Sequence, residues 1–251
     1  MYVAINFWFV IIATMNIFIT GINEGCGKTL VAAGISAVMQ SLGYKTGVYK
    51  PVQTGALDKG NYLLSPDLAF VNNIDSHIIT HSTYLLTSLS TPAAASKLEN
   101  VDIQIEDIEN DYKVLSDNTE ILITEGNGGL LTPVNNNFYN GYIPLTLKIP
   151  VVFVVTPSND SVNTYLNELN TAHKLGLDVI GVIINKLPSY SRNSEITTFV
   201  SVIEQFGDAK ILGIIHNFKD KNIKTDELFT EILNGINLQE ILRMEIPKLN
   251  F

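Results

Sequence analysis

The stretch IFITGINEGCGKT, residues 17–29, decides the fold because it joins an apolar strand, a glycine-bearing turn and the start of a helix. The glycines let backbone N–H groups converge on phosphates, and the helix N-terminus adds the positive end of its dipole. The spacing Gly-x5-Gly-Lys-Thr is one residue longer than the usual form, and it places Lys28 at the β- and γ-phosphates and Thr29 at Mg²⁺. We therefore predict a loop that binds a nucleoside triphosphate with magnesium through Glu24, Gly25, Cys26, Gly27, Lys28, Thr29 and Leu30.

Short apolar runs alternate with helical segments along the rest of the chain. The predicted strands are residues 16–20, 46–49, 120–124, 151–155, 179–184 and 211–215, and the clearest helices are residues 28–42, 160–175 and 195–206. Runs such as VVFVV are apolar throughout, as is typical of strands covered on both faces. The alternation predicts one α/β domain, residues 15–251, with a mostly parallel sheet and helices on both faces.

Composition excludes some classes of protein. The net charge is −9 at pH 7 and no dense run of Lys and Arg is present, so nucleic acid is not expected as a partner. A single cysteine, Cys26, allows no intrachain disulfide, which favours a reducing, cytoplasmic compartment. Inside the phosphate loop we expect Cys26 to be buried by packing, because no base that would activate its thiol is visible in the sequence.

The first 14 residues, MYVAINFWFVIIAT, are almost wholly apolar. They lack the positive region and cleavage site of a secretory signal. They reach the length of a membrane span only by including MNIFIT, which the first strand requires. We interpret residues 1–14 as an extension that is not part of the native protein, with Met15 as the true start and no membrane association. A genuine membrane anchor is the alternative.

Three charged residues lie after predicted strands or at a predicted helix start. Lys50 follows the second strand in YKPVQTG, and Glu125 follows the strand EILIT and begins EGNGGLLTP. The carboxyl ends of parallel strands form the edge where α/β proteins bind ligands. Asp67, in SPDL, opens a predicted helix, where an acidic residue is usually only a partner of the helix dipole. Together with Thr29, the two carboxylates form an oxygen-ligand set of the kind that Mg²⁺ prefers.

These motifs together resemble a known family. The phosphate loop, YKPVQTG, SPD, STPAAAS at residues 90–96, EGNGGLLTP and VIGVIINKL occur in the order seen in dethiobiotin synthetases of the biotin pathway. The resemblance implies a homodimer with a parallel seven-stranded sheet. It also implies a reaction in which ATP, CO₂ and 7,8-diaminononanoate give dethiobiotin, ADP and phosphate, with Mg²⁺ as cofactor.

The resemblance also implies the roles of individual residues. Lys28 and Lys50 would be catalytic and would hold a carbamate and the transferring phosphoryl group. Magnesium would be bound by Thr29, Asp67 and Glu125, and adenine would be contacted by Asn185. The implied substrate-binding residues are Lys50, Thr54, Ser161, Val162 and Asn163, the last three reaching the substrate carboxylate across the dimer interface.

The chain departs from the family pattern at several positions. Asn23 and Glu24 stand where the family usually has Asp and Thr, which puts loop contacts to the substrate amines in doubt. Asp160 stands at a common glycine position, where it either caps a helix or weakens binding of the substrate acid. The family tends to carry Gly-(Asp/Glu)-Ile-Pro where residues 213–216 read GIIH, so the adenine wall is altered as well.

Three other classes of protein share part of the pattern. A partition or septum-positioning ATPase is the main alternative, but it would carry a signature lysine where this chain has Asn23. A GTPase would carry the guanine reader Asn-Lys-x-Asp, and residues 185–188 read NKLP, so Pro188 replaces the decisive Asp. Related amidoligases and acyl-transfer enzymes usually carry a large additional domain.

Overall fold

The computed structural model describes residues 15–22, 24–157, 161–188, 193–218 and 223–246. Seven strands form one sheet: β1 Met15–Gly21, β2 Thr46–Tyr49, β6 Ile79–His81, β8 Ile121–Glu125, β9 Val151–Val155, β10 Val179–Leu187 and β11 Ile211–His216. Four two-residue strands form two small pairs outside it: β3 Val52–Gln53 with β7 Tyr84–Leu85, and β4 Leu57–Asp58 with β5 Leu63–Leu64.

The order of strands in the main sheet is β11-β10-β9-β1-β8-β2-β6, and all neighbouring pairs are parallel. Strand β1 is therefore central, with β8 on one side and β9 on the other. Because all seven strands point the same way, Gly21, Tyr49, Glu125 and Leu187 end their strands at one edge of the sheet. This confirms the predicted α/β fold with a parallel seven-stranded sheet.

Nine helices connect or flank these strands in the described part of the chain. They are α1 Lys28–Ser41, α2 Pro66–Ile74, α3 Pro92–Glu99, α4 Ile105–Asp117, α5 Tyr142–Leu147, α6 Ser161–Leu175, α7 Asn193–Gly207, α8 Thr225–Gly235 and α9 Leu238–Leu242.

The helices cover both faces of the sheet. In β1, Ile17 and Ile19 pack into a core formed with α1, α2, α8 and α9, whereas Phe18 packs into a core formed with α4, α5, α6 and α7. This alternation follows from the two-residue period of a strand. It explains why the strands read as continuous apolar runs, since each face is buried against its own layer of helices.

The structure differs from the predicted elements mainly at edges and in short pieces. The three-residue edge strand β6 was not predicted, and neither were the bounds of α3, α4, α5, α8 and α9. Strand β10 continues to Leu187, three residues beyond its predicted end at Ile184. The predictions for residues 1–14 concern a segment outside the described residues. Across the described ranges, the structure contains no helix with the length and apolar character needed to span a membrane.

Candidate active site

The phosphate loop lies between the end of β1 and the start of α1, as predicted. Gly27 occupies the N-cap position of α1 with φ of 95°, a left-handed conformation that favours glycine, and it offers no side chain to cap the helix. The first N–H groups of α1 are therefore directed at the loop, which is the arrangement that binds phosphate. Lys28 and Cys26 are both buried, with 3.8 Å between Lys28 Nζ and Cys26 Sγ, so the predicted burial of Cys26 is confirmed.

Strand β10 is separated from β1 by β9 in the sheet, and residues near its end also contact the phosphate loop. The pairing register with β11 shifts between Ile184 and Leu187, and within that shift Lys186 has φ of 57°. This irregularity brings two successive side chains to the phosphate loop, as bulges beside functional sites commonly do. Asn185 Nδ2 donates to the carbonyl of Cys26 at 2.8 Å, and Lys186 Nζ donates to the carbonyl of Gly25 at 2.5 Å.

A charged centre lies on the opposite side of β1, at the ends of β2 and β8. Lys50 Nζ is 2.7 Å from Asp67 Oδ2 and 2.7 Å from Glu125 Oε1. The Thr29 hydroxyl donates to the same Glu125 oxygen at 2.9 Å. The structure thus brings together the four residues that the sequence grouped from four separate motifs.

The electrostatics of this centre follow from its burial. Lys50 and Glu125 are 4% and 1% exposed. Burial disfavours the Lys50 ammonium, but the charges of Glu125 and Asp67 outweigh it and raise the pKa of Lys50 above its ordinary value. The ammonium is therefore held in its charged form between two carboxylates.

The donor set fits a magnesium ion. The Glu125 carboxylate keeps its second oxygen, Oε2, buried without a hydrogen-bond partner among the described residues. Such an atom is costly unless a ligand completes its coordination. A hydroxyl from Thr29 and carboxylates from Asp67 and Glu125 are hard oxygen donors, which suit Mg²⁺. Across the described ranges, no group of three or more His, Cys, Asp or Glu side chains is suited to a metal, so this site would depend on the Thr29 hydroxyl beside its two carboxylates.

A cleft of 510 Å³ connects the phosphate loop with the charged centre. It is large enough for a small ligand or for most of a nucleotide. The predicted site residues that line it are Glu24, Gly25, Gly27, Lys28, Thr29, Leu30, Lys50, Thr54, Asp67 and Glu125. Lys186 and Asn127, which the sequence did not single out, line it as well.

The glycine loop after β8, residues 126–129, is held by a side chain that the sequence reasoning missed. Asn140 is 1% exposed; its Oδ1 accepts from the N–H of Asn127 at 3.2 Å, and its Nδ2 donates to the carbonyl of Gly129 at 3.1 Å. Asn127 in turn donates to the Thr54 hydroxyl at 3.3 Å. Asn140 is one of four asparagines in NNNFYNG, and no motif distinguishes it from the others. Only its burial and its hydrogen bonds in the structure reveal this role.

Some predicted residues lie elsewhere. Ser161, Val162 and Asn163 begin α6; Val162 and Asn163 do not line the cleft, and the side chain of Ser161 lies outside the described part of the structure. Their expected contact across a dimer interface stays a prediction. Asn23 and Asp160 fall outside the described residues. The contact of Asn185 with adenine also stays a prediction; its Nδ2 is bonded to the loop, while its buried Oδ1 has no hydrogen-bond partner among the described residues.

Replacing Gly27 with alanine should weaken ATP binding at least about tenfold, the cost of one buried hydrogen bond. A Cβ at Gly27 would lie 1.9 Å from Asn185 Nδ2, so Asn185 must break its bond to the loop. Gly25→Ala is the matched control, because Gly25 also has a positive φ, of 75°, but a Cβ there meets nothing within 4 Å. Calorimetric titration with ATP measures both; equal losses in the two variants would contradict the steric argument.

The chain is similar to known proteins in sequence and in fold. A family model described as an AAA domain, AAA_26, matches residues 15–223. An ATP-dependent dethiobiotin synthetase of Methanococcus vannielii is 30% identical over 212 residues, covering 84% of this chain and 98% of the relative. Another, of Bacillus licheniformis, is 30% identical over 207 residues, covering 81% and 86%.

Solved structures show the fold. A ParA-family ATPase of Chlorobium tepidum superposes with a TM-score of 0.58 at 16% identity, over 92% of this chain and 97% of that chain. The likeness at this identity extends to the P-loop fold alone. The family match includes the phosphate loop, Lys50 and Glu125, and each of the two synthetases covers more than four fifths of the chain. The chain therefore belongs to the dethiobiotin synthetase family, ATP-dependent ligases built on the P-loop NTPase fold.

Proposed function

We propose that this chain closes the ureido ring of dethiobiotin from 7,8-diaminononanoate and CO₂, with ATP as co-substrate. The observation that carries the proposal is the buried Lys50 ammonium, 2.7 Å from each of two carboxylates and facing Thr29 of the phosphate loop. It is a fixed positive charge at the place where a terminal phosphate would meet a second substrate. The membership of the chain in the family supports the same reaction.

The chemistry explains why such a site needs positive charges more than a strong base. CO₂ captured by one amine gives a carbamate, whose oxygen is a poor leaving group. That oxygen attacks the γ-phosphorus, ADP leaves, and a carbamic–phosphoric anhydride results. The second amine then attacks the carbonyl carbon, phosphate leaves, and the amine loses its proton. Each step moves negative charge between oxygens, which preorganised cations stabilise in a water-poor site.

The proposed roles follow from position. Residues 24–30 bind the phosphates, with Lys28 at the reacting end. Lys50 holds the carbamate and the transferring phosphoryl group. It is assisted by Thr54, whose hydroxyl accepts a hydrogen bond from Asn127 in the glycine loop. Magnesium, when bound by Thr29, Asp67 and Glu125, would neutralise the phosphate oxygens and fix their orientation.

A homodimer is part of the proposal. Four large apolar side chains beside the glycine loop and α5 are exposed, namely Leu131 at 53%, Tyr139 at 49%, Tyr142 at 45% and Leu145 at 37%. A cluster of this kind favours burial against another protein surface. We propose that a second copy of the chain covers this surface and that its Ser161, Val162 and Asn163 contact the substrate, as the family resemblance implies. This is how residues outside the cleft would contribute to it.

The experiment that tests the proposed function is ATP hydrolysis by the purified protein, with and without diaminononanoate and bicarbonate. We expect phosphate release to depend on both additions and to match dethiobiotin formation one to one. A rate of hydrolysis that is the same with and without diaminononanoate and bicarbonate would indicate a stand-alone ATPase of the partition or septum-positioning type. That alternative has less support, because the likeness to such ATPases is confined to the fold.

Replacing Glu125 with glutamine should raise the Mg²⁺ concentration needed for half-maximal turnover about 10–100-fold. The amide keeps the shape of the side chain but removes the negative charge from the buried oxygen pair. Glu120→Gln is the matched control, because Glu120 immediately precedes the same strand at its other end and its carboxylate accepts from the N–H of Lys45. A magnesium titration of the steady-state rate measures both variants. An unchanged requirement in Glu125→Gln would remove Glu125 from the metal site.

A further inference from the structure

Lys186 contacts the phosphate loop but has no part in the proposed reaction. Its side chain is exposed and lines the cleft, and its ammonium donates to the carbonyl of Gly25 at 2.5 Å. A Cβ on Gly27 would lie 3.8 Å from Lys186 Cε, so the end of the aliphatic stem lies beside the loop. The left-handed backbone of Lys186 and the register shift of β10 produce this placement. Such backbone features are costly, and they cluster at ligand sites.

The strand order indicates which end of a nucleotide Lys186 would meet. Lys50 follows β2 and Glu125 ends β8, on one side of β1, and Lys186 lies in β10, on the other side. The reacting end of the triphosphate points to the charged centre, because Thr29 and Glu125 meet there. The nucleoside therefore leaves the loop towards β10, where the stem of Lys186 borders the cleft.

We propose that Lys186 is a nucleotide-positioning residue with two functions. Its ammonium fixes the carbonyl of Gly25 and so holds the loop open for the phosphates. Its methylene stem forms an apolar surface against one face of the base. The stem has no hydrogen-bonding group, so it contributes affinity without discriminating between bases. The inference rests on the nucleotide site of the proposed function but not on ring closure.

The test compares ATP with inorganic triphosphate, which has the phosphates but no base. Calorimetry in the absence of diaminononanoate gives the affinity of each ligand for the unmodified protein, Lys186→Met and Lys186→Ala. Lys186→Met keeps most of the stem and removes the charge, so both ligands should bind about tenfold more weakly. Lys186→Ala also removes the stem, so ATP should lose a further factor of about five to ten while triphosphate loses no more. Lys186→Arg should restore most of the affinity for both ligands.

Lys174→Met is the control for net charge, because Lys174 is an exposed lysine in the last turn of α6. It should bind both ligands normally. Unchanged binding in Lys186→Met, or a loss equal to that of Lys174→Met, would overturn the function of the ammonium. Equal further losses of ATP and triphosphate in Lys186→Ala would overturn contact with the base. Because binding is measured without the second substrate, these outcomes stand whether or not the protein closes a ureido ring.

Discussion

Replacing Lys50 with glutamine should slow ring closure about 10²–10³-fold while changing the affinity for ATP little. The glutamine keeps much of the size of lysine, but a developing anion loses its fixed positive partner. The phosphate loop, Lys28 and Mg²⁺ remain to bind the nucleotide. Steady-state rates and calorimetric ATP binding separate the two effects. Equal losses in rate and in ATP affinity would place Lys50 in the nucleotide site and contradict this division of roles.

The same substitution should also destabilise the protein in the absence of magnesium. Removing the ammonium leaves Glu125, 1% exposed, and Asp67 without the cation that they share. Loss of one partner of a buried ion pair costs about 3 kcal/mol of unfolding free energy. We expect Mg²⁺ to restore part of this loss, as measured by denaturant unfolding with and without the metal. Lys45→Gln is the control, since Lys45 is exposed just before β2.

Replacing Lys28 with alanine should abolish turnover while leaving the fold intact. Lys28 is the first residue of α1, where alanine is a good helix former, so secondary structure and the unfolding transition should persist. The loss of charge neutralisation on the phosphates is worth several kcal/mol in a water-poor site. Turnover, circular dichroism and ATP binding measure these effects.

The control for Lys28→Ala is Lys113→Ala, in the exposed part of α4. It changes the net charge of the protein by the same amount at a position away from the phosphate loop. Its turnover should be normal. Near-normal ring closure in Lys28→Ala would contradict the role of Lys28 at the phosphates and the assignment of residues 24–30 as the nucleotide-binding loop.

The central strands could be predicted from sequence because both of their faces are buried. The predicted bounds of β2 and β9 are the observed ones, and those of β1 and β8 differ by one residue at each end. The edge strand β6 has only three residues, all half-buried, so it leaves no apolar run. Helix α4 buries little more than Ile108 and Leu115, and its many acidic residues conceal the pattern.

The grouping of the candidate site was predictable, but its contacts were not. Lys50 and Glu125 could be placed at one sheet edge because parallel strands end together, and Asp67 joined them as an acidic residue at a predicted helix start. The Lys50 ammonium contacts both carboxylates. This depends on the lengths and conformations of the side chains, which the spacing of residues along the sequence does not determine. The end of β10 was predicted too early because Asn185 and Lys186 are poor strand residues, and the bulge that accommodates them is a tertiary feature.

The central position of β1 has a consequence for synthesis of the chain on the ribosome. Met15 pairs with Ile121 in β8, and Phe18 pairs with Val151 in β9, so the first strand of the described residues has its partners far downstream. At translation rates of roughly 5–20 residues per second, the apolar side chains of β1 stay unpaired for on the order of ten seconds before β8 is synthesised. Nascent chains that end before Val151 leave one side of β1 open, which makes them substrates for chaperones that bind exposed apolar segments.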